Sequence, residues 1–196
     1  MRRNMMGIGL LAGLLAQPAA AWEPLQVVKT YTIEGQTPGE LYAAIGRRGP
    51  QVGGLGRAIA LTHFKLTWQR HYEPRGAACV LAAARPKLTV ITTLPKPASR
   101  LPADTQRGWD QFIAGVAAHE RVHGALIVAM VRAIETTSVG LTVEADPGCR
   151  KIRTELTKRL GVLSQAQRQQ SRDFDRLELN AGGGIHQLIL RFVNGR

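Results

Sequence analysis

His119 and His123 stand four residues apart in the run His119-Glu120-Arg121-Val122-His123, with a carboxylate between them. On a helix this spacing puts both imidazoles on one face, one turn apart, where two ring nitrogens can bind the same cation. Glu120 sits beside them without competing for the ligand positions. There it can take a proton from water that the ion has acidified towards neutrality. The chemistry expected of such a set is hydrolysis assisted by one zinc ion. The ion polarises a scissile carbonyl and a water, and Glu120 removes a proton and later returns it to the leaving amine.

The element that must carry this motif is a long helix. From Asp104, expected as its N-cap, to about Glu135, apolar residues recur at three to four: Trp109, Phe112, Val116, Leu126, Met130. Phe112, Val116, His119 and His123 fall on one side, so the histidines are expected to face inward, towards a cleft. A second long helix should run from Cys149 to about Asp173, after a connector, 139–146, with room for a short strand.

The front half reads mostly as strands: Leu25 to Ile33, Ala58 to Arg70, Cys79 to Ala83 and Leu88 to Leu94, ended by Pro95 and Pro97. Between the first two, Thr37-Pro38-Gly39-Glu40 spells a capping box with proline at the first helical position. A short helix should follow to about Ile45, stopped by Gly46 and Gly49-Pro50. After Gly182-Gly183-Gly184 the last apolar stretch, Ile185 to Val193, reads as a strand. The expected fold is α+β, a mainly antiparallel N-terminal sheet packed on two long C-terminal helices.

Residues 1–21 have the form of a secretory signal peptide. Arg2 and Arg3 precede a short apolar run, and Ala19-Ala20-Ala21 offers a cleavage site before Trp22. The run is shorter than the roughly 20 residues that span a bilayer, and no later segment reads as a membrane span. Residues 22–196 then form one domain, secreted or periplasmic. In that compartment an even pair of cysteines, Cys79 and Cys149, reads as a disulfide. No C-x-x-C pair is present, which excludes dithiol redox chemistry.

Without the two arginines of the leader, the formal charge of +12 becomes +10 (12 − 2), a surplus that favours anionic partners, an envelope surface among them. The basic residues are dispersed and lack an interleaved aromatic series, so nucleic acid is not an expected partner. Trp68 and Trp109 read as core. His63, His71 and Tyr72 are candidates to stabilise an oxyanion, with none preferred.

The order of several short segments resembles the domain-of-unknown-function family 922, exported bacterial proteins taken to be zinc-dependent proteases of the zincin type. These segments are Tyr31-Thr32-Ile33-Glu34-Gly35, Thr37 to Leu41, Gly49-Pro50, Ala60-Leu61-Thr62 to Trp68, Cys79, Thr92-Thr93-Leu94-Pro95, Trp109 to Phe112, His119-Glu120 with His123, Cys149 and Phe174-Asp175. The resemblance implies a zincin-like fold, zinc and a polypeptide substrate. The family closes on a Tyr-Asp-x-x-Thr-x-His-Gly segment. Phe174-Asp175 matches its start, but Asn180 stands where the histidine is expected. A catalytic zinc takes three protein ligands and keeps an open position. Asp175, which keeps the family position, leads for the third ligand, followed by His186 and then Glu155. The rival expectation is a non-catalytic envelope protein with a degenerate or structural metal site and a basic, anion-binding surface.

Overall fold

The computed structural model describes residues 22–54 and 56–195, so the leader expected over 1–21 lies outside the described residues. The elements follow in the order β1 (Leu25–Ile33), α1 (Pro38–Arg48), β2 (Leu61–Arg75), β3 (Ala78–Pro97), α2 (Ala103–Ser138), β4 (Thr142–Val143), α3 (Lys151–Leu179) and α4 (Gly184–Asn194). This is an α+β fold with an N-terminal mixed sheet and C-terminal helices.

The sheet has the order β1-β3-β2, with β4 added to the start of β3. β2 and β3 form an antiparallel hairpin from Leu61↔Thr93 to Arg75↔Ala78, turned at Gly76 in the left-handed region. β1 is parallel to β3, from Leu25↔Thr89 to Ile33↔Pro97, so the sheet is mixed, with its β2–β3 and β3–β4 pairings antiparallel as expected. A parallel pair needs a return connection, and here α1 and residues 49–60 lead to β2, which carries the chain back to the start of β3. The two strands expected at 79–83 and 88–94 are one strand of 20 residues. Pro86 does not break it because β1 reaches β3 only from Thr89 onward. One edge of β3 is therefore open at Pro86, where a missing N–H costs no ladder bond.

α1 begins as expected. Thr37 Oγ1 accepts from the Glu40 amide at 3.3 Å, and the Glu40 carboxylate accepts from the Thr37 amide at 3.1 Å. The helix passes through Gly46 and is capped at Gly49. Gly49 is required by close approach: a Cβ there would lie 2.1 Å from the Ala58 carbonyl oxygen. That contact closes residues 49–58 onto themselves, helped by Arg57 Nη1 donating to the Gly49 carbonyl at 2.7 Å. Tyr31 pins the segment to β1 by donating its hydroxyl proton to the Ile59 carbonyl at 2.7 Å.

α2 starts after Pro102 rather than at Asp104, which falls in its first turn. By length and composition α2 is apolar enough to cross a membrane, contrary to the expectation of no such segment. Its apolar ridge is, however, the centre of the core: Trp109, Phe112, Val116, Ile127, Met130, Val131 and Ile134 are all buried. Gly124 of the helix lies next to Val90 of β3.

α3 is anchored at its start by Asp146, whose carboxylate accepts from the amides of Arg150 and Ile152 at 2.8 and 2.9 Å. It runs six residues further than expected, to Leu179, so Asp175 lies on the helix. The stretch expected as a final strand is helix α4. Ile185, Leu188, Ile189 and Phe192 are spaced at three and four, a helical stripe that a short apolar run conceals. Phe192 stacks on Phe112 at 4.6 Å between centroids and meets Trp109 edge-on at 5.8 Å. Gly195, left-handed, ends the helix.

Cys79 and Cys149 form the expected disulfide, joining the start of β3 to the start of α3 across 70 residues of chain. It sits in a buried cluster with Leu81, Leu141, Ile152 and Leu156.

Candidate metal centre

The middle of α2 and the last turns of α3 meet where α2 presents His119 and His123. Asp175 reaches both from α3. Its Oδ1 lies 3.1 Å from His119 Nε2 and 2.9 Å from His123 Nε2, and the two Nε2 atoms are 3.1 Å apart. The imidazoles are nearly buried, with 9% and 12% of their side-chain surfaces exposed, and Asp175 is 43% exposed.

Protons alone do not satisfy this triangle. If both Nε2 atoms carry hydrogen to reach Asp175, two N–H groups face each other across 3.1 Å. If one does not, its lone pair faces the carboxylate oxygen. A neutral imidazole has one donor and one acceptor nitrogen, so no tautomer choice fills all three edges. A cation at the centre does, because all three atoms then present lone pairs. These ligand atoms lie within 4.8 Å of one another, and the donor set of two imidazoles and a carboxylate suits a divalent metal. The cluster is able to coordinate a metal ion.

The electrostatics of the metal-free arrangement agree. Burial disfavours the His123 cation, yet its hydrogen bond and charge interaction with Asp175, and the charge of Glu120, outweigh this and raise its pKa. Burial likewise opposes the Asp175 anion, but the two imidazoles hold its pKa well below the usual carboxylate range.

Two groups frame the cluster. Phe174 stacks flat on His119, 4.6 Å between centroids and 21° between planes, and meets His123 edge-on at 5.4 Å. It packs against both rings and so holds their planes. Glu120, next to His119, is 6% exposed, and its Oε2 is buried without a hydrogen-bond partner. Its carbonyl accepts from Thr62 Oγ1 at 3.3 Å, which ties the edge strand β2 to α2 beside the cluster.

The other sequence candidates lie elsewhere. His186 is at the start of α4, its Nδ1 accepting from the Gly182 amide at 3.3 Å, and it is not part of the cluster. The glycine run is used to turn α3 into α4, not to fold a ligand back. Glu155 pairs with Arg159 one turn along α3, five turns before Asp175. His63 and His71 are exposed, on the face of β2 opposite Thr62, as period-two alternation dictates. Tyr72 lies under the Arg153 guanidinium, 4.2 Å from its ring centroid. None of these three lines the cleft.

The cleft itself is a cavity of about 540 Å³ that includes His119, Glu120, His123 and Asp175 in its wall. Tyr42, Arg57, Gln167 and Ser171 also line it. Sequence reasoning passed over these four. Only the i, i+4, i+8 spacing of Gln167, Ser171 and Asp175 was there to be read, and it shows only once α3 is known to extend through Asp175.

Residues 28–183 match the model of DUF922, a family described as bacterial protein of unknown function. The chain belongs to this family. The DUF922 match takes in every residue of the metal cluster, Glu120 and Phe174, and it stops just before α4. No curated protein and no solved structure matches the chain.

Proposed function

We propose that this protein is an exported, zinc-dependent hydrolase that cleaves peptide bonds. The observation that carries the reading is Glu120, whose buried, unpaired carboxylate oxygen stands beside a cluster suited to a metal. Burying a carboxylate oxygen without a partner costs free energy, and such cost is tolerated where the group has work to do. Two imidazoles and one carboxylate leave an open position, the arrangement of catalytic rather than structural zinc. Bound there, zinc supplies Lewis-acid polarisation of a carbonyl and acidifies water.

The chain's own residues do the rest. His119, His123 and Asp175 hold the ion, with Phe174 fixing the imidazole planes. Glu120 accepts a proton from the attacking water at Oε2 and delivers it to the leaving amine. The disulfide supports export, since such bonds persist in oxidising compartments.

A second reading keeps the metal and drops the chemistry. Asp175 bridges to two side chains of α2, so an ion there would cross-link the two long helices of a non-catalytic envelope protein whose basic surface binds an anionic partner. One variant separates the two. In the hydrolase, Glu120→Ala keeps its zinc and loses turnover of fluorescent casein by about 100-fold or more. Equal and measurable turnover in Glu120→Ala and native protein, or none in either with zinc bound, favours the second reading.

A further inference from the structure

The cleft is chemically lopsided about the metal cluster, and the helix registers say which side is which. Leu160 and Leu163 of α3 pack on the buried cluster that holds Ile127 to Ile134 of α2, whereas Asp175 reaches back to His119 and His123. The two helices therefore run antiparallel past the site. One turn before His119 the α2 wall is Val116. Facing it are Leu179, one turn after Asp175, and Ile185 and Ile189 of α4. α4 is held there by Leu188 against Gly115 and by Phe192 on Phe112. This half is aliphatic on α2, α3 and α4, and the segment 52–60, whose Ile59 and Ala60 pack with Val116 and Ile189, adds Arg57 to its wall.

The other half is polar. One turn after His123 comes Ile127, and opposite it stand Ser171 and Gln167, one and two turns before Asp175. Gln167 Nε2 donates to Ser171 Oγ at 2.9 Å. That bond leaves the Ser171 hydroxyl proton and Gln167 Oε1 to meet a backbone amide of a ligand.

We infer that the cleft selects polypeptides that place an aliphatic side chain on the α4 side of the metal cluster and lay their amides along Gln167 and Ser171. This rests on the hydrolase reading and names its substrate class. A cationic side chain on the α4 side would be desolvated close to Arg57 and without an acid from α4 to pair with, whereas an aliphatic one fits the wall. The selecting wall at Ile185 and Ile189 lies beyond the residues that match the family, while the metal cluster lies within them.

The test is binding to the Glu120→Gln protein, in which the peptide survives. Fluorescein-labelled Ala-Ala-Leu-Ala-Ala and Ala-Ala-Lys-Ala-Ala are titrated by anisotropy, with zinc and again with EDTA. The leucine peptide should bind about tenfold or more tightly in both conditions, because the preference comes from the walls. Leu179→Asp, at a position 50% exposed where folding tolerates the change, should abolish the preference. Ile189→Ala, checked for its fold by circular dichroism, should reduce it. Equal affinity for the two peptides, no binding of either to zinc-loaded protein, or an unchanged preference in Leu179→Asp overturns the inference. Failure of the metal reading looks different: the protein retains no zinc, yet the leucine preference persists in EDTA.

Discussion

Asp175 is the residue on which the site turns, because it joins two side chains of α2 from another helix. Its pKa is depressed and that of His123 is raised, so their interaction has a defined pH window in metal-free protein. The His123 contribution is complete below its ordinary value of 6.5 and is lost as pH rises through the raised folded value. The Asp175 contribution is present above its ordinary 3.8 and is lost as pH falls through the depressed folded value. In EDTA, the melting temperature of native protein over that of Asp175→Asn should therefore be greatest between about pH 4 and 6.5 and should shrink towards pH 8. Added zinc should reverse the upper trend, since it takes the neutral imidazole, and a zinc-induced shift no greater at pH 8 than at pH 5.5 would contradict this. Phe174→Ala should weaken zinc binding about tenfold by calorimetry while leaving the stoichiometry at one. The pair of histidines in the cluster was legible from spacing alone. Asp175 was legible only through a resemblance, because nothing in the local sequence says that α3 continues far enough to carry it. Phe174 had no readable role at all, since stacking across two helices leaves no pattern in either.

At the scale of elements, legibility followed period and punctuation. The capping box at Thr37 placed α1, and the ridge from Trp109 to Met130 placed α2, because both signals are local. α4 was misread because nine residues rich in isoleucine and leucine suit a strand or a helix equally until packing decides. Here Phe112 and Trp109 decide it, by offering Phe192 a ring-on-ring seat. Phe192→Ala should accordingly cost about 3 to 5 kcal/mol in urea unfolding, and a loss under 1 kcal/mol would show that α4 is not built into the core. The parallel placing of β1 was equally hidden, since a hairpin is announced by its turn but a crossover is not. The disulfide joins two elements whose contact is otherwise modest. Its cysteines are 70 positions apart, and replacing both by serine should destabilise the protein by about 4 kcal/mol in the chain-entropy model. Unfolding midpoints that coincide with and without reductant would refute that contribution.

For the whole molecule, the layering explains how one site draws on four elements. The sheet carries α2 on one face, α3 crosses back over α2, and α4 folds against α2 beyond the cluster, so the cleft opens where β2, α2, α3 and α4 converge. Among the described residues of the cleft wall, Arg57 is the one lysine or arginine. Export is expected to remove residues 1–21, and intact mass of protein secreted by its native host should begin at Trp22. Masses that retain Met1 to Ala21 would contradict this. The account as a whole stands on a metal held by His119, His123 and Asp175. Its most direct measurement is metal content by inductively coupled plasma mass spectrometry on purified native protein, Asp175→Ala and His186→Ala. The expected result is one zinc per chain in the native protein and in His186→Ala, and less than a tenth of that in Asp175→Ala, on the order of the loss that removing one of three ligands brings. Native protein without stoichiometric metal, or Asp175→Ala that keeps its zinc, would contradict the account.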